Sequence, residues 1–115
     1  MSFSGDQVGV AAGTLSVGLE LACKRGFLGS WKPTDNQIGF CFGFCDAISQ
    51  NLRLDDIEAL AFITVVFEEL FKRKGSHYVG RVVGNQFAYQ AAIIEGGQAL
   101  KDWQNSGTPP LVPFR

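Results

Sequence analysis

The chain has 115 residues, enough for one domain with a real core and no metal or disulfide staple. Apolar residues make up 46% and charged ones only 18%, against a usual charged share of about 25%, so some apolar surface is expected to enter an oligomer interface. A formal net charge of −1 lacks the positive field that displaces counterions from nucleic acid, and it equally lacks the basic patch of an electrostatic membrane binder.

No apolar run approaches the roughly 20 residues that span a bilayer; "ALAFITVVF" is about half that and is flanked by acids. The opening "MSFSGDQ" has neither the basic nor the apolar region of a signal peptide. Three cysteines is an odd number, and Cys41 and Cys45 lie four apart in one helical pattern, which is no disulfide framework. The expectation is a soluble protein of the reducing cytoplasm.

Helix one opens at "SGDQ", where Ser4 and Gln7 make a capping box, and closes on Lys24, Arg25 and Gly26. A glycine-hinged loop, "GFLGSWKP", follows. Its Phe27, Leu28 and Trp31 read as a plug for the end of a bundle, or as a lid or anchor in which Trp31 touches a ligand. Thr34 with Gln37 caps helix two, and Asp55 with Glu58 caps helix three, which ends at "FKRKG" with Gly75 just beyond. Ser76 is placed to cap a fourth helix that runs to "SGTPP". The pattern predicts helices over 5–25, 35–51, 56–74 and 77–104, with Gly96 and Gly97 marking a kink or break in the last. "FCFGF" and "YVGRVVG" also fit a strand period of two, but caps bracket both as helices.

Small residues recur every four positions. Gly5, Gly9 and Gly13 do so in helix one, Gly39, Gly43 and Ala47 in helix two, and Gly80, Gly84, Ala88, Ala92 and Gly96 in helix four. A glycine inside a helix costs about 1 kcal/mol relative to alanine, so close backbone approach is the compensation to expect. The reading is a homodimer joined through one such groove, with Gly39, Gly43, Gly80, Gly84 and Ala88 as interface residues; tight packing within one chain explains a single stripe equally well.

The stretch "IGFCFGFCDAISQN", from Ile38 to Asn51, is apolar almost all round, which marks a buried central helix in which cysteine acts as a small hydrophobe. Zinc held by Cys41, Cys45, Cys23 and His77 would need thiolates converging at a turn, and a thiol–imidazole pair would need His77 brought close. Neither reading is adopted, so no metal and no cofactor is expected. Asp46 enters this apolar surface beside the Gly39–Gly43 groove. It is either a structural acceptor, for a serine, an arginine or the Tyr89 hydroxyl, whose loss costs roughly 1–3 kcal/mol, or with Gln50 a pocket that binds a ligand's donor group.

Glu20, Glu68, Glu69 and Glu95 also lie within helices, but no Glu-x-x-His accompanies them, and the capping box already explains the Asp55-x-x-Glu58 spacing. Lys72, Arg73, Lys74 and Arg81 gather at a corner too tight for a helix-turn-helix. They read as charges matched to a helix C-terminus, with a small anion near Ser76 and His77 as the sharper alternative.

The reading is therefore all-α: a four-helix bundle-like domain with Gly/Ala-lined helices over residues 1–107 and a Pro-rich tail over 108–115. It acts as a homodimeric binding module, with no nucleic acid or membrane partner. A small carboxylate-dependent hydrolase using metal or nucleotide in a bundle pocket is the alternative.

Overall fold

Three helices start where their local sequence dictates. The computed structural model describes residues 3–23 and 32–113. Within them lie α1 (Gly5–Cys23), α2 (Asp35–Asn51), α3 (Asp56–Phe71), a 3-10 turn (Lys72–Lys74), α4 (Gly75–Gly84) and α5 (Gln86–Ser106). Ser4 and Gln7 close a reciprocal box at α1, with Ser4 N–H donating to Gln7 Oε1 (2.8 Å) and Gln7 N–H to Ser4 Oγ (3.3 Å). Thr34 with Gln37 and Asp55 with Glu58 do the same for α2 and α3. Each cap satisfies amides that the helix cannot, for about 0.5–2 kcal/mol.

The domain is the expected all-α, four-helix bundle-like fold, with its fourth helix divided in two. α2 is the central element. Every residue from Gln37 to Cys45 is buried, because α1, α3, α4 and α5 all pack on it. α5 lies along α2 in the same direction, since Gly39 meets Tyr89 and Ala92, Gly43 meets Ile93, and Phe44 stacks on Trp103 at 5.9 Å. On the other side, rings chain edge-to-face from Phe42 to Phe67 (6.4 Å), Phe71 (5.3 Å) and Tyr78 (5.3 Å), tying α2 through α3 to α4. Such pairs add about 0.5–1.5 kcal/mol each beyond their buried area.

Three local expectations are corrected. The fourth helix breaks at Asn85 (φ −153°, ψ 59°), not at Gly96–Gly97. Those glycines sit mid-helix, and Gly96 is there because a Cβ would lie 2.0 Å from the Phe40 carbonyl of α2. Gly75 does not terminate helix three in a left-handed conformation. It is right-handed, at the first turn of α4, where a Cβ would lie 2.4 Å from the Phe67 carbonyl. The positive φ falls on Lys72 instead (φ 58°, ψ −137°). Finally, Ser76 caps nothing: α4 follows the 3-10 turn directly, with Lys74 before it and no side-chain cap.

The end of helix one beyond Cys23, and Phe27, Leu28 and Trp31 of the aromatic loop, lie outside the described residues. The C-terminal tail packs back on the bundle, burying Pro110 and Val112. No helix among the described residues is long and apolar enough to cross a membrane.

Candidate functional site

The expected interface residues separate into two groups. Gly39 and Gly43 are buried against α5 of the same chain: a Cβ on Gly39 would meet that of Ala92 at 2.7 Å, and one on Gly43 would meet the Ile93 carbonyl at 2.0 Å. That groove is therefore filled from within and is corrected from an interface to an internal packing seam. Gly80, Gly84 and Ala88 lie on the outside, at the corner where α4 turns into α5, and a Cβ on either glycine would touch nothing within 4 Å.

Apolar surface is left uncovered at this corner, as it also is at Val10, Val17 and Leu21 on α1 and at Ile57, Leu60 and Val65 on α3. From Val82 to Ile94 the sequence carries no Asp, Glu, Lys, Arg or His. Phe87 is 86% exposed and Ile94 64%, with Val83 and Ala91 also open. The break at Asn85 separates α4 from α5, and Phe87 stands in the first turn of α5, open to solvent. Phe87 and Ile94 are seven apart, one face of the helix, with Ala91 between them. The sequence signal was present as the Gly84-Asn85 pair, a combination that favours turns, but Phe87 itself was not singled out.

Asp46 is half-buried, and its Oδ2 accepts from Gln50 Nε2 at 2.9 Å, one turn along the same helix. Its main-chain carbonyl accepts from Ser49 Oγ at 2.7 Å. The groove beside it is occupied by α5, and the Tyr89 hydroxyl considered as its donor goes elsewhere. Tyr89 donates to Asp35 Oδ1 at 3.3 Å, and the same oxygen takes the Arg81 guanidinium in an ion pair. Arg81 also lies 5.7 Å over the Tyr78 ring. So Arg81 joins the start of α2 to α4 and leaves the basic group of Lys72, Arg73 and Lys74.

Cys41 and Cys45 are free thiols with no exposed surface. Burial pushes both thiols well above their ordinary range; at Cys45 the neighbouring Cys41 and then Asp46 push further. A thiol held protonated is a poor nucleophile and a poor metal ligand. His77 is exposed on α4, and the side chain of Cys23 lies outside the described residues. Glu20 on α1, Glu68 and Glu69 on α3 and Glu95 on α5 all face solvent, and among the described residues no group of three or more His, Cys, Asp and Glu is placed to hold a metal ion.

Two clefts open on the surface among the described residues. One, of about 300 Å³, opens between the start of α1 and the ends of α2 and α5, with Val10, Ile48, Leu100 and Trp103 in its wall and Asp6, Gln7, Asn51 and Gln104 around it. The other, of about 220 Å³, lies between α5 and the returning tail. Asp46 and Gln50 line neither, and Trp31, their proposed companion, is outside the described residues. Comparison with known proteins returned no matching family, no matching curated protein and no matching solved structure.

Proposed function

We propose that the protein acts by binding, as a homodimeric interaction module whose two copies meet at the α4–α5 corner. The observation that carries this reading is Phe87, 86% exposed within a stretch, Val82 to Ile94, that carries no charged side chain. Burying such a ring removes apolar area from water for roughly 1.5–3 kcal/mol. Gly80, Gly84 and Ala88 beside it leave the surface smooth, so a second copy can approach closely, and a two-fold axis sets each Phe87 against the other copy's small residues. Helix glycines with open space where a Cβ would stand, as at Gly80 and Gly84, are costly unless something else fills the space.

A stable dimer buries roughly 800 Å² per copy, and one aromatic side chain supplies on the order of 150 Å² of that. The interface therefore extends from Phe87 to Val83 and Ile94 along both helices. Two buried, unpaired thiols support a reducing compartment, the cytoplasm. The experiment is sedimentation of the wild type over a concentration series beside Phe87→Asp. A dimer at tens of micromolar that the aspartate converts to a folded monomer is the expected outcome; a monomeric wild type throughout would overturn it.

A further inference from the structure

The tail is seated in the bundle as a bound peptide would be. α5 ends at Gly107, whose φ of 74° closes the helix while its N–H donates to the Trp103 carbonyl at 2.9 Å. Residues 108–113 then return across the bundle with alternating burial: Pro110 and Val112 turn inward, while Leu111 between them is 78% exposed. Val112 sits over Gly18 of α1, where a Cβ would meet its Cγ2 at 2.8 Å and the Pro110 carbonyl at 3.3 Å. Gln37, only 1% exposed, uses both ends of its amide. Its Oε1 accepts from Thr34 N–H at 3.0 Å within the capping box, and its Nε2 donates to the Pro113 carbonyl at 2.9 Å.

Two observations are compatible with exchange of this segment. Among the described residues, no backbone–backbone hydrogen bond joins residues 108–113 to the bundle. A half-open cleft of about 220 Å³ also runs beside the segment, lined by Pro109, Pro110 and Leu111 on one side and by Phe40, Glu95, Ala99 and Asp102 on the other.

We propose that this groove is a docking site for an extended Pro-x-Val-Pro segment of a partner protein, and that the chain's own Pro110–Pro113 occupies it as a tethered competitor. The chemistry of the seat selects that partner. Alternate side chains enter the groove, so the ligand is extended. The notch over Gly18 accepts one small β-branched side chain. Prolines on either side carry no N–H that the groove must satisfy, and they are already restricted, so little entropy is lost on docking. Gln37 reads one main-chain carbonyl and fixes the register. A tether holds its own segment at an effective concentration on the order of millimolar, which lowers the apparent affinity for an incoming segment by the fraction of open groove. The site lies away from the α4–α5 corner, and the proposal does not rest on the dimer.

The test uses the full chain and a fluorescent synthetic peptide covering residues 107–115. Val112→Asp places a charge in the apolar notch and releases the tail without altering the groove. The released chain should remain helical by circular dichroism and bind the peptide at least about tenfold more tightly than the wild type. Adding Gly18→Val, which fills the notch, should abolish that binding. A helical Val112→Asp chain that ignores the peptide at millimolar concentration overturns the proposal. So does one that unfolds, which would make the tail a fixed part of the core. Wild-type self-association that Val112→Asp abolishes would assign the groove to a second copy's tail and overturn the partner assignment.

Discussion

Gly43 on α2 and Gly96 on α5 each stand where the other helix presents a carbonyl. A Cβ on Gly43 would lie 2.0 Å from the oxygen of Ile93, and one on Gly96 would lie 2.0 Å from that of Phe40. The two helices therefore meet backbone to backbone, a distance at which Cα–H groups approach carbonyl oxygens. Neither contact tolerates even a methyl group. This seam sets the position of α5, and with it the Asn85 corner and the seat of the tail.

Gly43→Ala and Gly96→Ala should each destabilise the fold by about 3 kcal/mol or more, because main chain must move on both sides. Gly80→Ala, with open space around it, should instead stabilise the chain by up to about 1 kcal/mol at dilutions where it is monomeric. Urea midpoints of the three variants measure this directly. Equal effects at Gly43 and Gly80 would refute the assignment of the seam.

Arg53 and Lys72 hold positive φ values of 59° and 58° without being glycine. Arg53 sits where α2 ends: its N–H donates to the Gln50 carbonyl at 3.0 Å and that of Leu54 to the Ser49 carbonyl at 3.0 Å, the pairing of a left-handed helix terminus. An L side chain pays roughly 1–2 kcal/mol there. Arg53→Gly should raise stability by about 1 kcal/mol, read as a higher melting temperature with unchanged helicity; a lower one would contradict the account.

Because burial raises the Cys41 and Cys45 thiols, the fold favours their protonated form. Their contribution is fully present below the unfolded-state value of about 8.5 and is lost as pH rises beyond it. Urea midpoints should thus fall between pH 8 and pH 10, and Cys45→Ala should flatten that slope. Thiol reagents should react only as fast as the protein opens. Rapid labelling of the native state would contradict this placement.

Asp46→Asn should change stability by less than about 0.5 kcal/mol, since its side chain bonds Gln50 on the surface of its own helix. The expectation of a 1–3 kcal/mol structural acceptor assumed a fully buried carboxylate, and the structure leaves it half-buried. A loss above about 2 kcal/mol in a denaturation curve would restore the larger role.

Local signals were legible and long-range ones were not. The capping boxes at Ser4, Thr34 and Asp55 and the buried character of Ile38–Cys45 depend on residues within one or two turns, and each stands as read. The glycine stripes announced close approach but not the partner, because Gly43 meets α5 only once the intervening helices are placed. Gly75 looked like a terminator for the same reason: its contact is the Phe67 carbonyl on the preceding helix, and its absence from the left-handed position shifts that conformation to Lys72. The tail read as a Pro-rich appendage. Gln37, which anchors it, was already accounted for by the capping box, so its second bond to Pro113 had no sequence signature.

The central claim is that two copies meet at Phe87, and isotope-filtered NMR on a mixed sample of labelled and unlabelled chain tests it most directly. The account predicts intermolecular contacts from the Phe87 ring to the methyl groups of Val83, Ala88 or Ile94 on the other copy. Intermolecular contacts confined to Val10 and Val17 on α1, or none at a concentration of about 1 mM, where even weak association is populated, would contradict it.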